Sequence, residues 1–212
     1  FLVKKIIQNY HTMKKSDQYW NYRDRFWKFI MDQIKKEQQL KKEHSKFILW
    51  AHNSHIGDCK ANHKIGNKIN IGYLLSNTYQ CFKIGFSTYF GSVKASRKWN
   101  SPGKKFKLNK PKEGSYEYLF HEICQQRKEN AILYFPNPSK KINLFFRYIG
   151  VVYDHKNEMR AHYVKTNINK EFDLLIFIDK TNYLKQSISS KTVKKTKSDM
   201  KSLQKMIQSI NF

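Results

Sequence analysis

His52 and His55 stand in the run Lys46 to Asp58, which reads K-F-I-L-W-A-H-N-S-H-I-G-D. On a helix or in a tight loop, residues three apart share a face, so both imidazoles could act on one substrate group. Three chemistries compete for that spacing. A zinc site would take Cys59 or Asp58 as third ligand, yet the pair lacks the His-Glu-x-x-His pattern and a second ligand cluster. General acid–base or electrostatic catalysis by the pair is the second reading. The third is structural, with one ring bonding a carbonyl and the other exposed. Catalysis ranks ahead of metal binding, and neither a metal nor a cofactor is expected.

The elements that must position these rings follow from the flanking pattern. Phe47 to Ala51 form an unbroken apolar run, which suits a strand buried on both faces. The polar cluster His52, Asn53, Ser54, His55, Gly57 and Asp58 would then lie at the strand's carboxyl end, where open sheets bind ligands. Upstream, residues 1–14 read as one helix and about 18–43 as a second, with Trp20, Trp27, Ile30 and Ile34 on one face. Arg23 and Asp24 on that helix read, by composition alone, as a surface charge pair.

Downstream come a loop at 59–70, a short helix to Thr78 and a strand from Gln80 to Tyr89. A basic loop at 97–113 carries a short strand at Lys105–Leu108, and Ser115 caps a helix running to about Gln126. Ala131–Phe135 is a further apolar segment, ahead of Pro136. Phe145–Tyr153 and Phe172–Ile178 complete the strands, the latter ending in Asp179. Strands alternating with helices imply an α/β fold, a mixed or mainly parallel sheet flanked by helices. Residues 1–182 form one domain on this reading. Residues 183–212 form a Lys-rich tail, with a last amphipathic helix carrying Met200, Leu203, Met206, Ile207 and Ile210.

Composition bounds the function. The formal charge is +25, but only six of the 41 basic residues are Arg and the Lys residues are scattered. A dedicated nucleic-acid reader would use more Arg, so a solvated basic surface is expected and nucleic acid is not. No apolar run approaches the roughly 18 residues a membrane span needs, and Cys59, Cys81 and Cys124 do not make a disulfide framework. A cytoplasmic protein with reduced thiols is the expectation. The sequence begins at Phe1, inside a helical pattern, which suggests a segment upstream.

Taken in order, several blocks resemble the erythromycin esterase family, also labelled succinoglycan biosynthesis proteins. They are Trp20-Asn21-Tyr22-Arg23-Asp24, then Leu49-Trp50-Ala51-His52-Asn53-Ser54-His55-Ile56-Gly57-Asp58, then Asn70-Ile71-Gly72 and Ile84-Gly85-Phe86-Ser87-Thr88-Tyr89. After these stand Gly114-Ser115-Tyr116-Glu117 with Leu119-Phe120-His121, Ile149-Gly150-Val151-Val152-Tyr153, His162-Tyr163, and Phe172-Asp173 leading to Asp179. The resemblance covers about residues 1–182 and is most specific in the W-A-H-N-S-H-I-G-D run.

The resemblance implies an α/β sheet with many flanking helices and a deep cleft. It implies hydrolysis of a carboxylic ester or macrolide lactone by histidine-activated water, with a small-molecule substrate and a link to antibiotic resistance. It places His52 and His55 in the cleft as the catalytic pair, and Arg23, Asp24, Asn53, Asp58 and His162 on the substrate-binding wall. Three departures stand out. The family's general base sits in a Gly-Glu-x-x-His-Gly motif that has no counterpart here, so the chain resembles the C-terminal half. Phe26-Trp27 replace a usual His-Met, and Met159 stands where relatives often have Arg. Loss of a general base costs about 100- to 10,000-fold in rate, so weak or absent activity is expected of this chain alone. A basic nucleic-acid-binding module on an esterase-like scaffold, without catalysis, is the alternative.

Overall fold

The computed structural model describes residues 19–41, 46–61, 68–127, 132–134 and 142–183. The expected helix at 1–14 and the C-terminal helix lie outside them. The chain separates into two units, residues 1–182 and 183–212, and every element below belongs to the first. In chain order these are α1 (Tyr19–Leu40), α2 (Asn53–Ile56), a 3-10 turn (Cys59–Ala61), α3 (Ile71–Ser76), β1 (Ile84–Ala95) and β2 (Lys104–Lys107). There follow α4 (Tyr116–Arg127), β3 (Ile132–Tyr134), β4 (Leu144–Arg147), α5 (Glu158–His162), β5 (Tyr163–Thr166), α6 (Ile168–Glu171) and β6 (Leu174–Thr181).

The fold is a mixed α/β arrangement with helices against the sheet. Strand order is β2-β1-β6-β3, with β1 parallel to β6 from Ile84 opposite Leu174 to Gly91 opposite Thr181. β2 pairs antiparallel with the far end of β1, and β3 antiparallel with β6. A parallel pair needs a long crossover, and here the intervening chain supplies α4 and a second two-stranded sheet, β4 with β5. Gly91 has φ +129°, and a Cβ there would lie 1.8 Å from the Thr181 carbonyl oxygen, so only glycine closes this end of the pair.

The core follows from helical and strand periodicities. Tyr116, Phe120 and Cys124 recur every four residues on α4 and meet Leu175 and Phe177 of β6, with Phe146 of β4 beside them. Phe146, Leu175 and Phe177 are completely buried, each such side chain contributing roughly 2–3 kcal/mol of transfer free energy. Ser115 caps α4 as its sequence position implies, its Oγ accepting from Tyr118 N at 3.3 Å.

Several expectations are corrected. Residues 46–52 lie in no helix and no ladder, and Ile48 and Trp50 are 94% and 84% exposed. The run therefore is not a buried strand: among the described residues, no strand pairs with the first half of β1 on the flank away from β6, where the Asn53 side chain bonds Phe86 N and O. Of the strand expected over Phe145–Tyr153, the first part to Arg147 belongs to β4 in the smaller sheet, whereas Val152 makes an isolated parallel bridge to Ser96 just past β1. Beyond Arg147, the Tyr148 and Ile149 carbonyls accept from imidazoles instead of a neighbouring strand. β1 starts later and runs further than Gln80–Tyr89, and Asp179 lies within β6 rather than beyond it. Arg23 and Asp24 are not a surface pair: Asp24 is fully buried. Among the described residues, no helix is long and apolar enough to cross a membrane.

Candidate active site

Trp20, Asp24 and Trp27 occupy positions i, i+4 and i+7 of α1 and so share one face. That face receives His55. The Trp20 ring stacks on the imidazole at 4.3 Å with an interplanar angle of 10°, and Trp27 meets it edge-on at 5.1 Å. His55 Nδ1 lies 2.9 Å from Asp24 Oδ2, while its Nε2 lies 3.0 Å from Arg23 Nη2. A guanidinium only donates. His55 Nε2 therefore presents its lone pair and the ring proton sits on Nδ1, directed at Asp24. The Arg23 guanidinium lies 4.8 Å from the Trp20 ring centroid and 5.1 Å from that of Trp27, close enough for cation–π attraction.

A fully buried carboxylate must be compensated. Asp24 Oδ2 also accepts from Ile71 N, the first residue of α3, at 2.9 Å, and Arg23 Nε stands 3.7 Å from Oδ1. α3 is brought there by close backbone approach, since a Cβ on Gly72 would lie 2.0 Å from the Ile56 carbonyl oxygen. Asn70 locks the junction: its Nδ2 donates to the Ser54 and Gly57 carbonyls at 3.0 and 2.7 Å, and its Oδ1 caps α3 through Tyr73 N. Residue type and position thus fix the His55 ring before any substrate arrives.

His52 is the N-cap of α2 and turns elsewhere. Its Nδ1 accepts from Ser54 N at 3.2 Å, so Nε2 carries the proton and donates to the Ile149 carbonyl at 3.0 Å. Burial holds its pKa below the ordinary imidazole value, against the opposing pull of that carbonyl. Both ring nitrogens are engaged. The two histidines share a short element but do not face one group.

The remaining expected site residues are distributed around this centre. Asn53 acts as a strand substitute, its Nδ2 donating to Phe86 O at 2.6 Å and its Oδ1 accepting from Phe86 N at 3.2 Å. Asp58 accepts from Lys60 N and has Lys83 Nζ at 3.9 Å. His162 is buried, with Nδ1 donating to Tyr148 O and Nε2 accepting from Asp154 N at 2.9 Å, so it ties two loops together. Beneath Gly57 lies Glu171, whose carboxyl accepts from the Tyr148 hydroxyl and from Thr166 Oγ1. Burial pushes its pKa up to about 7, outweighing those two hydrogen bonds. Among the described residues, no three His, Cys, Asp or Glu side chains gather as a metal would require.

The model of the erythromycin esterase family matches residues 2–181. The chain belongs to the erythromycin esterase family. Among solved structures, a Bacillus cereus protein aligns over 84% of this chain and 44% of its own, at 21% identity and TM-score 0.59. A mutant of the erythromycin esterase EreC, in its open conformation, aligns over 83% and 41% at 15% identity and TM-score 0.52. A succinoglycan biosynthesis protein aligns over 63% and 32%, at 17% identity and TM-score 0.48. The chain therefore spans less than half the length of the solved structures it matches.

Within this esterase-family scaffold the structure joins Arg23, Asp24 and His55 directly, and sets His52 and Asn53 on the adjoining turn. Reading the sequence missed three participants. Trp20 and Trp27 were expected on one helix face with no part in the site, although their register with Asp24 on that face was the available signal. Glu171 carried no signal, because its partners Tyr148 and Thr166 come from β5 and the loop after β4. Chemically, the assembly offers one imidazole lone pair, at His55 Nε2, held in a fixed tautomer by a buried carboxylate.

Proposed function

We propose that this chain carries the histidine part of an ester- or lactone-hydrolysing site, with carboxylic esters or macrolide lactones as substrate class. The observation that supports it most is His55, held between Asp24 and Arg23 and stacked on Trp20. In this reading the attacking water takes the place of Arg23 at His55 Nε2, donating to its lone pair and passing its proton there as it attacks the ester carbonyl. Arg23, moved only slightly, then faces the developing oxyanion, and Asp24 keeps the imidazole in the competent tautomer. His52 is a positioning residue, because its fully engaged ring fixes the turn that holds His55. Asn53 anchors that turn to β1, while Asp58 and His162 shape the adjoining wall. Turnover by this chain alone is low, since no residue corresponds to the family's Gly-Glu-x-x-His-Gly base.

The test is release of p-nitrophenol from a short-chain p-nitrophenyl ester, with macrolide ring opening followed by mass spectrometry. Hydrolysis above the buffer rate that falls about 100-fold or more in His55→Ala, with unchanged circular dichroism, supports the assignment. Equal hydrolysis by His55→Ala overturns it.

A further inference from the structure

On another part of the molecule, the segment after β2 and the residues 155–163 meet over an open concavity of about 400 Å³. None of His52, His55, Arg23 or Asp24 lines it. Four of its ten lining residues are Lys or Arg. Lys110 and Lys112 stand on one wall, Lys156 and Arg160 on the other, with His155 between them in sequence.

A buried frame holds the walls together. Arg147, only 7% exposed, donates from Nη1 to the Asn109 carbonyl at 3.0 Å and to Glu158 Oε1 at 3.1 Å. Asn109 Nδ2 in turn donates to the His155 carbonyl at 2.7 Å. Glu158 is the one carboxylate in the lining, and its ion-pair partner is Arg147. The neighbouring Asp154 carboxylate accepts from Lys156 N, Asn157 N and Asn157 Nδ2. Among the described residues, no carboxylate pairs with Lys110, Lys112, Lys156 or Arg160.

A multivalent anion seated among these four side chains would accept charge-assisted hydrogen bonds from them. We propose that this concavity binds a small multivalent anion of the phosphate or phosphate-ester class. Lys110, Lys112 and Lys156 act as point charges, and the Arg160 fork engages two oxygens of one phosphoryl group. A volume of about 400 Å³ fits a small molecule.

Inorganic pyrophosphate is the probe, titrated calorimetrically into the full chain at physiological ionic strength. One saturable site is expected, with Lys112→Gln/Arg160→Gln weakening binding by roughly 10- to 100-fold. Lys104→Gln/Lys107→Gln on β2 removes the same charge elsewhere and is expected to change affinity less than about twofold. All four positions are exposed, and circular dichroism checks that both double variants keep the fold. Absence of saturable binding overturns the proposal. So does an equal loss in both double variants, which would mark diffuse attraction to a +25 chain. A short DNA duplex weakened by the pocket variant to the same degree would reassign the surface to nucleic acid and equally overturn it.

Discussion

Glu171 makes the stability of this protein depend on pH in a direction opposite to that of most carboxylates. Its pKa is pushed up to about 7 from an ordinary 4.5 by burial, with Asp58 adding to the rise. A raised folded-state pKa means that the native state binds the proton more tightly than the unfolded chain. The contribution is therefore fully present below about pH 4.5 and is lost as pH rises through about 7. A difference of 2.5 units at 1.36 kcal/mol each amounts to about 3 kcal/mol. Glu171 is 1% exposed, so solvent screening does not reduce this appreciably. The assay is urea unfolding of the wild type and Glu171→Gln at pH 5, 6, 7 and 8. Gln is isosteric but does not titrate, so the difference between the two proteins isolates this group. That difference should shift by about 2–3 kcal/mol toward the variant between pH 5 and pH 8. A difference that stays flat, or moves the other way, would show that the carboxyl is ionised in the native state and that the reasoning is wrong.

Further expectations concern the scaffold under the histidines. Asn53→Ala removes both hydrogen bonds to Phe86 and should lower stability by about 1–2 kcal/mol in urea unfolding, leaving β1 otherwise intact. Gly72→Ala forces a Cβ to within 2.0 Å of the Ile56 carbonyl oxygen, so a loss of more than about 2 kcal/mol is expected in thermal unfolding. Phe146→Ala, at a position with no exposed surface, should cost about 3–5 kcal/mol.

The fold class was legible because strand-like apolar runs alternate with helical patterns, and the blocks around His52 carried the family. Ser115 as a cap and the short strand near Lys105 were equally local signals, each decided by a few neighbouring residues. What could not be read was set by distant partners. Phe47 to Ala51 carry the pattern of a buried strand, but among the described residues no strand pairs with them. Arg23 and Asp24 look like a surface pair until His55, 31 residues beyond Asp24, turns its Nδ1 toward the carboxylate. His162 carries little signal in its own neighbours, and its two nitrogens serve the Tyr148 carbonyl and the Asp154 amide. The strand through Phe145 stops at Arg147, where imidazoles take the next two carbonyls, and Val151 and Tyr153 bond instead to Ser96 just past β1.

The central claim is that Asp24 and Arg23 hold His55 as the Nδ1-protonated tautomer, with the Nε2 lone pair facing the Arg23 guanidinium. The direct measurement is the tautomer itself, from the imidazole ¹⁵N chemical shifts of His55 at neutral pH, in the wild type and in Asp24→Asn. The account predicts a protonated Nδ1 and an unprotonated Nε2 in the wild type, with that preference lost in the variant. An Nε2-protonated ring in the wild type, or a tautomer unaffected by Asp24→Asn, would contradict it.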